Sequence, residues 1–462
     1  MATDYHVGPA QPLATIAEVP WASLQPGDHV YIHWKDTPYK EKWVINRRGT
    51  PSDWIVVEGV PGPQGQLPVI DGRDAVTPAG LNYWNEERGL IKIGGSNTPP
   101  DGLPAYIRIE NLELRSAHPD YSFTNDGGGS SDYSDNAAAI YVEKAEHLVV
   151  RNCVIHDSGN GIFTGSNSGQ SKDHLFEGNH IYGNGIVGSF YEHNTYTSAI
   201  GTVYQGNRFG ALRPGADGNN LKDRSAGLVV RYNWIEDGNR QLDLVDGGSD
   251  VATDPTYDTT FVYGNVLIEG DGQGNSQIVH YGGDGGDQNL YRKGTLFFFH
   301  NTVVSTRVGN TTLLRLSSNG EAADVRNNVL YVSDAGTRLA MLDGAGDLTL
   351  RNNWTKSGWK DSHSGLTGTI DDDGSGITST SPGFQNEATQ DFRPTGGPLS
   401  DAATSPAGGA SAHPLTLQYR EHETSEPRLG TTDLGAFDWC PGGCGQAIFI
   451  DGFETGDVSS WL

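Results

Sequence analysis

Three clusters of reactive side chains lie between residues 191 and 248. They are Tyr191-Glu192-His193-Asn194-Thr195-Tyr196, then Asn219-Asn220-Leu221-Lys222-Asp223-Arg224, then Arg240-Gln241-Leu242-Asp243-Leu244-Val245-Asp246-Gly247. Lys222 and Arg224 are two apart, so on a strand they share one face while Asp223 takes the other. Two cations on one face make a local anion site. A like charge beside Lys222 would also lower its pKa and raise the share of neutral amine able to act as a base. His193 could serve as base or orient a carboxylate, and Tyr196 could donate or accept a proton. Asp243 and Asp246 lie near a Gly-Gly turn and read equally as a hydrolase acid and base, as calcium ligands, or as ion-pair partners of Arg224 and Arg240. Arg240, Asn194, Asn220 and the His280-Tyr281 pair ahead of Gly282-Gly283-Asp284 are candidate substrate contacts. Each has a plainer reading beside it: a Lys and Arg paired with acids one coil on, or a His and Tyr that only pack.

The elements that must position these clusters announce themselves as a repeat. Short apolar runs recur with an Asn in each, at Asn111, Asn152, Asn179, Asn207, Asn233, Asn265, Asn301, Asn328 and Asn353. Most intervals fall in the middle twenties, the length of one coil of a parallel β-solenoid, and the longer ones leave room for loops. A β-propeller, with blades of about forty residues or more, does not match these steps. An Asn at each coil has two physical uses: its amide can bond the Asn above and below, and it tolerates the left-handed conformation of a sharp corner. Tyr196 stands as far before Asn207 as Lys222 stands before Asn233, so equal coils would stack one over the other. The fold expected is therefore all-β, a right-handed parallel β-helix.

Composition agrees. With 63 glycines and 35% hydrophobic residues the chain of 462 residues suits many tight turns around a narrow core. A formal charge of −26 argues against a nucleic-acid partner and would repel a polyanion at long range, so an acidic polymer would need a local basic site or a bridging cation. Acidic clusters such as Asp371-Asp372-Asp373 and Asp132 with Asp135 raise calcium as a candidate ion. No apolar run is long enough to span a membrane. The N-terminus does not resemble a signal peptide; either the chain is cytosolic or it begins after a removed signal, and the polar surface with a C-terminal cysteine pair favours a secreted or periplasmic protein, expected to act as a monomer. Cys440 and Cys444 could close a small disulfide, and Cys153, in an apolar run, reads as a buried thiol. The β-helix is expected over residues 1–440, with 382–438 covering its open last coil, and a tail over 441–462 that resembles those of secreted bacterial proteins.

The coils, together with the Asn-Asn-Leu-Lys222-Asp-Arg224 segment, resemble secreted bacterial right-handed parallel β-helix proteins and, more distantly, the alginate lyase and chondroitinase B family. That resemblance implies a polysaccharide lyase acting on a uronate-containing polymer by β-elimination, with Lys222 as base and calcium on the uronate carboxylate. The family carries its Arg acid one coil on, which here falls near Asp243 to Asp246, where no Arg stands. Arg224 or Arg240 would then substitute, or Tyr196 or His193 would be the acid. An inverting glycoside hydrolase using Asp243 and Asp246 and a non-catalytic glycan-binding solenoid are the other readings.

Overall fold

The computed structural model describes residues 2–439 apart from 166–168, 273, 407, 421–423 and 431. Cys440, Cys444 and the expected tail lie outside the described residues.

The chain winds into three long parallel sheets of thirteen, eleven and ten strands, each ordered as the chain runs, so the central coils contribute to all three faces. This is the expected parallel β-helix. Its core is built from columns of like residues, one per coil. In the thirteen-stranded sheet Phe176, Tyr204, Val230, Val262, Phe298, Val325 and Leu350 are successive partners, all buried. Each such side chain is worth about 1.5–3 kcal/mol on burial. The apolar runs around each Asn are therefore short strands whose alternate residues face inward.

The repeat Asn residues hold two positions rather than one. Asn179, Asn207, Asn233, Asn265, Asn301, Asn328 and Asn353 form a buried ladder in which each amide donates to the Oδ1 of the next at 2.9–3.1 Å. Asn111 and Asn152 stand one residue earlier, at the left-handed corner also filled by Gly178, Gly206, Tyr232, Gly264, His300, Asn327 and Asn352. Leu112 and Cys153 take the ladder position in those two coils, and both are buried. The two uses expected of a single Asn are thus divided between neighbours in most coils, though the corner residues Asn352 and Asn327 also bond each other at 2.8 Å.

The sequence places 382–438 over the open last coil. Phe384, Phe392, Leu399, Tyr419, Leu434 and Phe437 instead pack against Trp234, Val266, Val304, Val329, Tyr331 and Trp354 on the outer face of the eleven-stranded sheet. Trp234 stacks on Phe392 with ring centroids 5.7 Å apart. Leu415 and Ala410 cover a second aromatic patch of Tyr232, Tyr263 and Phe299. The segment runs back along the flank because these strands present apolar residues outward as well as inward. Among the described residues the final strands Thr369–Asp372 and Ile377–Ser379 have no strand beyond them. Among the described residues no helix is long and apolar enough to cross a membrane.

Candidate active site

The ten-stranded sheet carries the reactive clusters. The strands Thr195–Thr197, Leu221–Asp223, Leu242–Leu244, Gln277–Tyr281 and Thr311–Leu316 are successive neighbours in it. Their inward column is Leu221, Leu242, Val279 and Leu314. One residue on, the outward column reads Tyr196, Lys222, Asp243, His280 and Arg315. The period-two alternation of a strand thus fixes both columns at once: burying the leucines forces the polar row outward. Tyr196 does stack on Lys222, as the equal spacing required.

These side chains meet in one network. Lys222 Nζ lies 2.5 Å from Asp243 Oδ2 and 2.6 Å from Asp284 Oδ2. Asp243 Oδ2 also accepts from Asn219 Nδ2 at 2.9 Å, and its Oδ1 faces His280 Nδ1 at 2.8 Å. On the far side His280 Nε2 is 2.8 Å from Ser317 Oγ. Arg224 donates from Nε to Tyr196 Oη at 2.9 Å, from Nη2 to Asp284 Oδ1 at 2.8 Å and from Nη1 to the Asp246 carbonyl at 2.5 Å. Around them opens a groove of about 680 Å³, bordered by Phe190, Tyr191, Arg240 and Arg315 as well.

The charge states follow from these contacts. Burial pulls Lys222 toward the neutral amine, but Asp243 and Asp284 together outweigh it and raise its pKa above the ordinary value. The sequence expectation of a neutral Lys222 base, its pKa lowered by Arg224, is corrected: the nearest charges are two carboxylates, and the group rests as an ammonium. Burial opposes ionisation of Asp243 too, yet Lys222, the His280 bond and Arg240 hold its carboxyl well below the usual range. Burial, with Lys222 adding to it, pushes His193 down to about 3. His193 Nδ1 accepts the Asn219 backbone N–H at 2.9 Å, so the neutral ring carries its proton on Nε2 and is a donor, not a base.

Other expectations are corrected by burial. Asn194 and Asn220 are not substrate contacts: they point inward, bonded to each other at 2.8 Å in a second amide ladder. Tyr281 faces the apolar core, on the opposite side of its strand from His280. Asp223 is also turned in, where Arg292 meets it at 2.9 Å. Arg240 and His280 do border the groove.

Calcium does not fit Asp243 and Asp246. The oxygens of Asp243 are taken by an ammonium, an amide and an imidazole, and Asp246 Oδ1 accepts the backbone N–H groups of Asp284 and Gly285 at 2.6 and 3.1 Å. Asp284, the third carboxylate there, is taken up between Lys222 and Arg224, and among the described residues no group of three or more His, Cys, Asp or Glu is placed to hold a metal ion. Of the other acidic clusters, Asp371 and Asp373 pair with Arg351.

Three functional residues escaped the sequence. Arg315 interrupts an apolar strand at the outward parity, a signal that period-two counting could have read. Asp284, inside Gly282-Gly283-Asp284-Gly285-Gly286, and Ser317 reach the network only through a loop and a later coil.

No family model matches the sequence, and no curated protein matches it. Among solved structures it is similar to the pectate lyase Pel9A, at 14% identity over 95% of this chain and 97% of that one, with a TM-score of 0.48. A GH136 lacto-N-biosidase from Eubacterium ramulus gives 12% identity over 82% and 68%, with a TM-score of 0.45. A mutant of the PL6 family alginate lyase AlyGC gives 12% identity over 95% and 59%, with a TM-score of 0.42. Identities and scores this low assign no role to the groove.

Proposed function

We propose that the protein is an exported polysaccharide lyase that cleaves a uronate-containing polymer by β-elimination. The observation that carries this reading is the sign of the groove. In a chain of net charge −26, Lys222, Arg224, Arg240 and Arg315 converge on one site with Asp243 and Asp284 among them and Asp246 3.5 Å from Arg224, four cations to three carboxylates. A cationic groove in so acidic a molecule is a local seat for an anionic substrate. The exposed rings of Phe190 and Tyr191, with centroids 4.3 Å apart, stand at its border and supply apolar faces of the kind sugar rings stack on.

In this reading Lys222 and Arg224 hold the uronate carboxylate and neutralise the charge that spreads onto it when C5 loses its proton. The Tyr196 oxygen takes that proton. The electron pair left behind forms the C4–C5 double bond, the C4–O4 bond breaks, and the phenol just formed returns the proton to O4. Arg224 fixes the Tyr196 oxygen at 2.9 Å, and the edge of His193 packs on the same ring with centroids 5.4 Å apart. Lys222 thus moves from proton abstraction to charge stabilisation.

The hydrolase reading needs a protonated carboxyl to serve as general acid. Asp243 is held ionised by its neighbours, which speaks against it in that part. Incubation with a panel of uronate polymers, following ultraviolet absorbance and reducing ends together, tests the proposal. New ends with absorbance support elimination. Ends without absorbance would mean hydrolysis, and binding with neither would mean a glycan-binding module.

A further inference from the structure

Asp284 comes from the loop between the strands Gln277–Tyr281 and Gly294–Phe299, not from the outward column of the sheet. Its two carboxylate oxygens are divided between the two cations, Oδ2 on Lys222 Nζ at 2.6 Å and Oδ1 on Arg224 Nη2 at 2.8 Å. One carboxylate bridging a lysine and an arginine, one oxygen to each, is the arrangement a uronate carboxylate would adopt there. The side chain is 34% exposed, whereas that of Lys222 beneath it is 8% exposed, so Asp284 lies on the solvent side of the pair.

The loop backbone is pinned. Asp284 N and Gly285 N donate to Asp246 Oδ1, and Gly283 N donates to Ser317 Oγ at 2.9 Å. A Cβ on Gly283 would meet the Tyr291 ring at 2.1 Å, and one on Gly285 would meet Asp246 at 2.4 Å, so these glycines are required by close approach. With the main chain fixed and the carboxylate facing solvent, Asp284 can leave the cations by rotating its own side chain, with no opening of the loop.

We infer that Asp284 is a specificity-determining residue that occupies the carboxylate seat of the resting groove and yields it only to a ligand bringing a carboxylate of its own. This rests on the proposed uronate substrate. A neutral sugar that displaced Asp284 would leave Lys222 and Arg224 with one counter-charge fewer in a largely buried place. A uronate replaces one ion pair with another, so exchange favours it over a neutral or esterified sugar. The seat therefore rejects neutral glycans before any chemistry begins.

Binding of D-glucuronate and of its methyl ester to the full-length protein, measured by ligand-observed NMR, tests this without turnover. The wild type is expected to bind glucuronate and not the ester. Asp284→Asn, which keeps the side-chain shape, is expected to bind glucuronate at least tenfold more tightly and to admit the ester; Asp284→Ala should behave alike, and thermal melts check that both are folded. Glucuronate affinity unchanged or weakened in both folded variants would overturn the inference, as would wild-type binding of the ester as tight as that of the acid. Lys222→Met, expected to lose glucuronate binding, locates the seat, and retained binding would also overturn it. If the Asp284 variants tighten binding while no uronate polymer yields absorbance, the lyase reading fails and the role of Asp284 stands.

Discussion

Lys222 and Asp243 hold the same position on successive coils, and their side chains meet at 2.5 Å with almost no exposure to solvent. Asp243 is the hub: it also serves Asn219 and His280 and lies near Arg240. Taking one partner from a buried ion pair costs about 3–5 kcal/mol. Asp243→Asn should therefore destabilise the fold by that order, read by denaturant unfolding, and the double change with Lys222→Met should recover much of the loss. A cost under about 1 kcal/mol would mean the pair is far better solvated than its burial implies.

The Tyr196 hydroxyl meets Arg224, and no other hydrogen bond to it is found among the described residues, so removing it disturbs little of the packing. Tyr196→Phe is expected to lower kcat on a uronate polymer by about a hundredfold or more, with KM little changed, as loss of an acid–base group does. Activity near that of the wild type would transfer the proton step elsewhere.

Three buried histidines set the acid limit of stability. Burial first, and in His193 and His300 a neighbouring cation next, lowers His174 to about 4 and both His193 and His300 to about 3. Each is neutral in the fold but takes a proton when unfolded, so its contribution is complete above the unfolded value near 6.5 and is lost as pH falls below it. At about pH 5 each forfeits about 2 kcal/mol. Asp243 works at lower pH: its folded pKa is depressed, so its contribution persists until pH falls below about 4, the unfolded value. Unfolding near pH 5 should take up close to one proton on each of the three rings, offset in part by Glu269, which burial raises to about 7 and which releases its proton on unfolding, and His174→Gln should reduce the uptake by about one. A stability that stays flat from about pH 7 to 5 would contradict the neutral assignments.

With the oxygens of Asp243 and Asp246 already engaged, dialysis against a chelator should leave activity intact and added calcium should not raise it. Calcium-dependent turnover would show that the groove rearranges to build a cation site.

Asn233 accepts from the backbone and side chain of Asn207 and donates to Asn265, all at 2.9 Å. Asn233→Ala should orphan the buried Asn207 backbone N–H, at about 1–3 kcal/mol, while Asn265 Oδ1 keeps the Asn233 backbone N–H. A melting temperature within a degree or so of the wild type would mean that the ladder is ornamental.

How much was legible divides along one line. The strand parity of Lys222, the stacking of Tyr196 upon it, the inward turn of Asp223 and the recurring Asn were all readable, because a solenoid repeats locally and one coil predicts the next. The flank packing of 382–438 was not, since an apolar segment does not say which apolar face it will cover. Nor was the pairing of Asp284 with Lys222 and Arg224, which joins residues sixty apart through a loop without a period. Periodic sequence determined the coil and which side of the sheet each reactive residue faces. Only the tertiary structure decided their charges, because a pKa follows the nearest partner in space, and for Lys222 those partners are two carboxylates drawn from later coils.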